Sequence, residues 1–404
     1  MKEVTVKKSI LVGLMGAFFA TTAATAAEPI EASAKAQELA QKYLVVDTHI
    51  DVPYRLNNKW EDVTRATANG DFDYPRAKEG GLNVPFMSIY IPAALERTGG
   101  SYQLAHQLID SMEALATRAP HKFAMAYSVD QALQQQERGV ISLALGMENG
   151  SPIEGKLENL YEFYNRGIRY ITLAHSESNH ISDSSYDIRR QWNGLSDFGK
   201  TLVKEMNKVG VMVDVSHISD DAFFQVMEIS EAPALASHSS LRRYTPGFER
   251  NMSDEMIKAL AENEGVIMIN FGSSFVTERA NQFGDMLRKR IAAVNEELGE
   301  GTDAAEAKIA EIRASNPYPF ADLNTVLDHI DHVVELVGID YVGIGSDYDG
   351  VGDSLPIGLK DVSSYPNLVQ GLLDRGYSDT DIEKILGQNL IRVWRANEAY
   401  AAKH

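Results

Sequence analysis

Side chains that can bind a metal ion or move a proton follow short apolar segments of this chain. The first are His49 and Asp51, which end the largely apolar run at residues 44–51. Side chains of a strand point to alternate faces, so His49 and Asp51 project to the same side and can contact one cation. An isolated His-x-Asp pair is also common at a solvated strand end, so this pair alone does not predict a metal site.

The same arrangement recurs along the chain. Five more titratable side chains stand at or just past the end of a predicted strand: Glu148, His175, His217, His238 and Asp347. Singly, His175 and His238 also fit buried histidines that bind the backbone, and Glu148 fits a buried ion-pair partner. Together with the first pair they are hard to explain as packing, because each would carry a desolvation cost. Nitrogen and carboxylate ligands suit zinc, with manganese, cobalt or iron as substitutes.

The number of candidate ligands indicates two cations. A catalytic zinc normally takes three protein ligands and keeps one position open for water. Even five ligands from these seven side chains are too many for one such ion, and two ions that share one carboxylate account for them better. The chain contains no cysteine, which excludes thiolate ligands and a cysteine nucleophile.

Eight predicted strands must position these side chains. They lie at residues 44–51, 85–91, 140–145, 168–173, 211–215, 232–236, 266–270 and 341–346. Aliphatic strands that alternate with helix-period segments indicate a parallel sheet, and eight such units predict a (β/α)8 TIM-like barrel. Polar residues at the C-terminal strand ends support closure, because such barrels keep their active sites there. The alternative is a doubly wound open sheet, but no phosphate-binding glycine loop follows the first strand.

The N-terminus predicts a signal peptide over residues 1–27. Three lysines precede an apolar run at residues 10–20, and an Ala-x-Ala exit places cleavage near Ala26 or Ala27. We therefore expect an exported protein, periplasmic or secreted. The apolar run is shorter than the about 20 residues that a membrane-spanning helix needs, and no other segment approaches that length.

Residues 28–404 are predicted to form a single catalytic domain, since α/β barrels commonly reach this length. Residues 271–318 are long, charged and largely helical, which predicts an insertion after the seventh strand that covers the barrel mouth or a subunit interface. Lys and Arg total 38 against 57 Asp and Glu, a formal net charge of −19. This balance argues against nucleic acid as a partner.

Seven short motifs follow one another in a distinctive order. They are His-x-Asp at 49–51, Gly-x-Glu at 146–148, Thr-x-x-His at 172–175, Asp-x-Ser-His at 214–217, Ser-His-Ser-Ser at 237–240 with Arg-Asn at 250–251, Gly-Ser-Asp-Tyr-Asp-Gly at 345–350, and Gly-x-Asn-x-x-Arg-Val at 387–393. This series resembles the membrane dipeptidase (renal dipeptidase) family of metallopeptidases over about residues 44–394. The resemblance implies a barrel of the metal-dependent amidohydrolase kind, a dinuclear zinc centre and hydrolysis of dipeptides.

The resemblance also implies a ligand set. His49 and Asp51 match the ligands of one zinc, Glu148 matches the bridging glutamate, and His217 and His238 match the ligands of the second zinc. A water shared by the two cations would then attack the scissile carbonyl. We expect Mn²⁺ or Co²⁺ to be able to replace zinc.

Roles in catalysis and substrate binding follow from the same resemblance. His175 matches the histidine that polarises the substrate carbonyl, and Asp347 matches the active-site aspartate, which would pass the water proton to the leaving amine. Arg250, followed by Asn251, matches the arginine that grips the substrate carboxylate, which would restrict substrates to dipeptides. The alternative interpretation of Arg250 is a surface arginine.

Two other functions stay open on the sequence. One is another amide or N-acyl amino-acid hydrolase on the same dinuclear barrel, because a fold does not fix its substrate. The other is a non-catalytic exported protein that binds a metal or a solute. Against the second stand His175, Arg250 and Asp347, because a storage site needs neither an oxyanion donor nor a carboxylate clamp. The expected partners are dipeptides and a second copy of the chain in a homodimer.

Overall fold

The computed structural model describes residues 31–404, so the predicted signal peptide and its exit lie outside the described residues. Within that range the chain forms nine strands. They are β1 Val45–Ile50, β2 Leu82–Tyr90, β3 Phe123–Met125, β4 Ile141–Glu148, β5 Ile168–Thr172, β6 Met212–Asp214, β7 Leu235–Ser239, β8 Val266–Ile269 and β9 Val342–Ile344.

Eight of these strands close into a parallel barrel. The order is β2-β1-β9-β8-β7-β6-β5-β4, and the pairing of β2 with β4 closes the ring. The predicted (β/α)8 barrel is therefore confirmed, and the open doubly wound sheet is wrong. Strand β3 lies outside the ring and pairs only with the first three residues of β4. The sequence did not predict β3, because three residues are too short to show a period.

Helices fill the connections between the strands. They are α1 Ala34–Lys42, α2 Val52–Asn58, α3 Tyr74–Gly80, α4 Leu95–Thr98, α5 Ser101–Arg118, α6 Val129–Glu137, α7 Leu157–Asn165, α8 Asp197–Val209, α9 Asp220–Ile229, α10 Asp254–Glu262, α11 Ser273–Val276, α12 Glu278–Leu298, α13 Asp303–Ser315, α14 Leu323–Val337, α15 Tyr365–Asp374, α16 Asp379–Glu383 and α17 Asn389–Ala401. A π-helical turn, Lys384–Gln388, joins α16 to α17. Among residues 31–404, no helix combines the length and the apolar character that crossing a bilayer requires.

Serine caps begin three of the helices that follow the site strands. Ser196, Ser219 and Ser253 accept hydrogen bonds from backbone N–H groups in the first turns of α8, α9 and α10. Such caps satisfy N–H groups that a helix start otherwise leaves unpaired. They fix where each helix begins, and so how far each loop at the barrel mouth extends.

The barrel interior is apolar at one end and polar at the other. Phe86 of β2 packs against Tyr170 of β5 and against Trp394 of α17, with ring centroids 5.6 Å and 5.2 Å apart. Trp394 is fully buried, so α17 closes the end of the barrel where the strands begin. The polar side chains gather at the opposite end, where the strands finish.

The helices α12 and α13 lie after the seventh barrel strand, β8, within the segment 271–318 for which an insertion is predicted. They share a small apolar cluster with Val294, Ala305 and Ile309 at its centre, separate from the barrel core. In α12, only Ala280 and Val294 are buried among its 21 residues. The two helices therefore pack mainly on each other and leave most of their surface exposed.

His329 of α14 joins this region to the barrel. Its Nδ1 accepts a hydrogen bond from the Leu241 N–H, and its Nε2–H donates to the Val276 carbonyl, both at 3.1 Å. Burial lowers the pKa of His329 to about 4, and the nearby His332 acts in the same direction. Since Nδ1 serves as an acceptor, a second proton on the ring would break the contact with Leu241.

We expect this histidine to make folding stability fall in mild acid. The unfolded chain takes up the proton near pH 6.5 and the folded chain near pH 4, so stability falls with pH between these values. Across this range, the contribution of His329 to the free energy of unfolding changes by about 3 kcal/mol. Urea unfolding at several pH values should show a smaller loss for His329→Gln, while the exposed His121→Gln should behave like the parent. Equal acid sensitivity of the parent and His329→Gln would contradict this role.

Candidate metal centre

All seven titratable residues predicted from the strand ends lie at one mouth of the barrel. Three occupy the last two positions of β1, β4 and β7: His49, Glu148 and His238. Four lie in the loops that follow β1, β5, β6 and β9: Asp51, His175, His217 and Asp347. The sequence had placed Glu148 and His238 just past their strands, but β4 and β7 extend far enough to include them.

Two of these loop residues have a left-handed backbone. The φ angles are 69° at His217 and 64° at Asp347. This conformation costs a residue other than glycine of order 1–3 kcal/mol, and it persists where the surroundings hold it. The Asp347 N–H donates to the His49 carbonyl at 3.1 Å, and the His217 carbonyl accepts from the Ser185 N–H at 2.8 Å. Both turns direct their side chains back into the mouth.

The carboxylate of Glu148 lies at the centre of the cluster. Its Oε1 is 3.1 Å from His217 Nε2, 3.2 Å from His238 Nε2 and 3.3 Å from His175 Nε2. Its Oε2 is 3.4 Å from His49 Nε2. The two oxygens thus face different sets of imidazoles.

Three overlapping groups have ligand atoms close enough to hold a cation. They are His49 with Glu148 and His238, Glu148 with His175 and His217, and His49 with Asp51 and Asp347. Within each group, the ligand atoms lie within 4.8 Å of one another. Glu148 and His49 each belong to two groups, so the groups form one continuous site.

The donor set fits divalent metal ions. His49 Nε2 is buried and has no hydrogen-bond partner in the part of the chain that the structure describes. A Cβ atom at Gly350 would clash with Asp347 Oδ1 and Asp51 Oδ2, so glycine keeps the space beside these carboxylates open. Buried carboxylates and imidazoles that converge on free space are what zinc, manganese or cobalt requires.

The pKa directions of His217, His238 and Glu148 agree with metal binding. Burial lowers the pKa of His217 and of His238 well below the ordinary value, and the positive charge of Arg250 acts in the same direction. Burial acts to raise the pKa of Glu148, but His49 and His175 outweigh it and hold that pKa well below the ordinary range. Neutral imidazole and ionised carboxylate are the forms that bind metals. At His49, burial acts to lower the pKa, but Tyr170, Glu148 and Asp51 outweigh it and hold that pKa well above the ordinary value, so a metal ion there would have to displace a proton.

Asp347 differs from Glu148 in its surroundings. Burial raises the pKa of Asp347 to about 7. The positive charge of His49 acts to lower this pKa, while the negative charges of Asp51 and Glu148 act in the same direction as burial. Asn270 Nδ2 donates to Asp347 Oδ2 at 2.7 Å and so fixes the orientation of the carboxylate.

Tyr170 holds the His49 ring from behind. The Tyr170 hydroxyl lies 2.9 Å from both the Thr48 carbonyl oxygen and His49 Nδ1. Since the hydroxyl donates its one hydrogen to the carbonyl, it accepts from His49 Nδ1–H, which leaves Nε2, on the side of Glu148, as the ring nitrogen that would bind a metal ion. Sequence reasoning missed Tyr170, because nothing in its strand distinguishes it from a packed aromatic residue.

Asp47 orders the same strand end. It accepts hydrogen bonds from the His49 N–H at 3.1 Å, the Ser346 N–H at 3.0 Å and the Tyr365 hydroxyl at 2.6 Å. It thereby links the loop that carries Asp347 to the strand that carries His49.

Arg250 reaches the site from the loop after β7. It is 3% exposed, so the interpretation as a surface arginine is wrong. Its guanidinium donates to Ser239 Oγ at 2.8 Å and to the His238 carbonyl at 2.6 Å, and lies 3.1 Å from His217 Nε2. Its guanidinium carbon lies 5.4 Å from the centroid of the Phe275 ring.

Asn251 stabilises this loop and, like Arg250, lies outside the lining of the cavity. Its amide donates to Thr245 Oγ1 and to the Phe275 carbonyl, both at 2.7 Å, and accepts from the Ser240 N–H at 3.2 Å. These contacts occupy its polar atoms, so its predicted part in substrate binding stays a prediction.

A cavity of about 660 Å³ opens above the cluster. The metal-site residues that line it are Asp51, Glu148, His175, His217 and Asp347, and the aromatic residues are Tyr54, Tyr90, Tyr186 and Phe275. This volume and this mixture of aromatic walls with a few polar groups suit a small molecule.

The fold and the site define a metal-dependent hydrolase of the (β/α)8 barrel class. Residues 33–404 match the family described as membrane dipeptidase (peptidase family M19). The chain belongs to this family and is a metallo-dipeptidase, a hydrolase that acts on peptide bonds. The resemblance drawn from the motifs is confirmed.

Curated and solved relatives agree with this membership. Dipeptidase tcpJ of Claviceps purpurea is 31% identical over 340 residues, covering 82% of this chain and 71% of the relative. Dipeptidase 3 of Mus musculus is 29% identical over 378 residues, covering 91% and 67%. The crystal structure of the probable dipeptidase PvdM from Pseudomonas aeruginosa has a TM-score of 0.79 at 25% identity, covering 91% of this chain and 98% of that one.

Proposed function

We propose that the protein hydrolyses free dipeptides at a centre of two zinc ions. The position of Glu148 carries this proposal, because its Oε2 faces His49 while its Oε1 faces His217 and His238. His49 and Asp51 would hold one ion, His217 and His238 the other, and Glu148 would bind both. When bound, such a pair acidifies a water molecule and polarises the scissile carbonyl.

His175 is assigned to the developing oxyanion. Its side chain is 17% exposed, lines the cavity and directs Nε2 toward Glu148. A donor at this position can stabilise negative charge on the carbonyl oxygen of the substrate.

Asp347 is assigned to proton transfer. Its Oδ2 is held by Asn270, while its Oδ1 lies beside the open space at Gly350. A carboxylate fixed at the cavity wall can accept a proton from the attacking water and donate it to the leaving amine.

Arg250 is assigned to the terminal carboxylate of the substrate. One of its N–H groups contacts His217 Nε2 at 3.1 Å. A metal ion at His217 would take the lone pair of that nitrogen, so the N–H group would become free to donate to a carboxylate. A charged fork of this kind favours a free carboxylate over the neutral amide of a longer peptide.

The test compares acid and amide substrates on the zinc-loaded mature chain. Arg250→Ala should lower kcat/KM for free dipeptides by about 10- to 150-fold, the scale of a charged hydrogen bond. The loss on dipeptide amides should be much smaller, because they lack the carboxylate. Arg243→Ala, an exposed change in the same loop, should leave both substrates unaffected. Equal losses on acid and amide would refute the clamp.

Export and a homodimer form part of the same proposal. The pattern of residues 1–27 supports export, with the mature protein periplasmic or secreted. The exposed faces of α12 and α13 supply a surface for a second copy. N-terminal sequencing of the exported protein tests cleavage near Ala26 or Ala27, and light scattering tests the dimer. A retained leader or a monomer would overturn the respective part.

A further inference from the structure

Asp214 is a fully buried carboxylate at the end of β6, behind the site and outside the lining of its cavity. Its Oδ1 accepts from the Ser216 N–H at 3.0 Å and from the Ser237 N–H at 2.9 Å. Its Oδ2 accepts from Ser237 Oγ at 2.6 Å and from Thr172 Oγ1. An ionised carboxylate only accepts hydrogen bonds, so all four neighbours act as donors toward it.

This arrangement fixes the role of the Ser237 hydroxyl. The hydroxyl has one hydrogen, which it donates to Asp214. Its oxygen also lies 2.7 Å from His238 Nδ1, so it can only accept there, from Nδ1–H. His238 therefore carries its hydrogen on Nδ1 and keeps the lone pair on Nε2, which lies 3.2 Å from Glu148 Oε1.

Packing does not decide this tautomer. The His238 ring stacks on the His49 ring with centroids 3.7 Å apart, which fixes the plane of the ring but not the position of its hydrogen. His217 offers a contrast, since its Nδ1 has no hydrogen-bond partner among residues 31–404. The chain from Asp214 through Ser237 is thus specific to His238.

We propose that Asp214 is a positioning residue that acts through Ser237 to keep His238 in the tautomer that binds metal through Nε2. This inference rests on the proposed function, in which His238 is a zinc ligand. The alternative is that the Asp214 carboxylate only joins the ends of β6 and β7. The two differ in whether the direction of the hydrogen bonds matters.

Asp214→Asn reverses that direction with little change of shape. The Asn oxygen can still accept from both backbone N–H groups, while its NH2 group would donate to Ser237 and Thr172. Ser237 would then be free to donate to His238 Nδ1, which moves the ring hydrogen to Nε2 and blocks metal binding. We expect zinc affinity to fall by about 10- to 100-fold, the usual scale for groups that orient a metal ligand.

Two further variants separate the effect of the hydrogen-bond chain from Asp214 through Ser237 to His238 from simple structural support. Thr172→Val removes the other hydroxyl donor from the same carboxylate, so it should lower thermal stability but leave zinc affinity near that of the parent. Ser237→Ala removes this hydrogen-bond chain without reversing it. Its loss of zinc affinity should therefore lie between those of Asp214→Asn and Thr172→Val. It also provides the test if Asp214→Asn does not fold.

Chelator competition on the full mature chain measures zinc affinity. ¹⁵N spectra of the metal-stripped chain report the tautomer of His238, whose signal is assigned by its loss in His238→Ala. The parent should show Nδ1–H and Asp214→Asn should show Nε2–H. Equal affinity losses in Asp214→Asn and Thr172→Val, or an unchanged tautomer, would overturn the proposal.

The ligand assignment is tested separately. If His238→Ala kept both zinc ions, the proposed function of His238 would fail. If His238→Ala lost a zinc while Asp214→Asn and Ser237→Ala bound zinc as tightly as the parent, only the positioning role would fail.

Discussion

Replacing Asp347 by Asn is expected to remove most of the hydrolytic rate while both zinc ions stay bound. Proton transfer by a positioned side chain contributes roughly 100- to 10,000-fold, and the amide cannot take the proton. The substitution should not disturb the fold, since Asn adopts the left-handed backbone found at this position and its oxygen can still accept from Asn270.

Turnover of a free dipeptide and zinc content per chain are the two measurements. Asp349→Asn is the matched control, because Asp349 lies in the same loop and is also left-handed, with φ 67°. Its carboxylate binds Arg55 at 3.0 Å, so this change should reduce stability more than rate. Loss of a zinc ion in Asp347→Asn would make Asp347 a ligand and overturn its assignment to proton transfer.

Glu148→Gln should lose metal and activity together. Gln keeps one oxygen but replaces the other with an NH2 group, which cannot bind a cation and would face the ring nitrogens around it. The reduction in zinc affinity should exceed about 100-fold, since changes behind a ligand already cost 10- to 100-fold. Activity should fall in parallel, because both proposed ions depend on this carboxylate.

The control for this variant leaves the carboxylate in place. Ser88 Oγ donates to Glu148 Oε2 at 3.3 Å, and Ser88→Ala removes only that hydrogen bond. It should retain two zinc ions and most of the rate. Two tightly held zinc ions with undiminished turnover in Glu148→Gln would rule out the bridging role.

The barrel was predictable because its strands are fully buried and so appear as continuous aliphatic runs with polar residues at one end. The ends of these strands were not. Glu148 and His238 belong to their strands, since parallel pairing with β2 and β8 continues beyond the apolar runs. Pairing between distant segments decides such boundaries, and a local sequence pattern does not record it.

The residues that converge on the site were also predictable, because strand ends of a closed barrel share one mouth. The groups behind them were not. Tyr365 binds Asp47 across 318 positions of sequence, and Asn270 binds Asp347 across 77. Asp214, Thr172 and Ser237 did carry a local signal, because each is the first residue of one of the motifs Asp-x-Ser-His, Thr-x-x-His and Ser-His-Ser-Ser.

The left-handed turns at His217 and Asp347 bear on protein engineering. Glycine would adopt these φ angles without the cost that a larger residue carries. A screen that rewards heat resistance without selecting for turnover would therefore favour glycine at both positions. The selected variants would be more heat-resistant but would lose hydrolytic activity. Thermostabilisation of this enzyme therefore has to keep His217 and Asp347 unchanged.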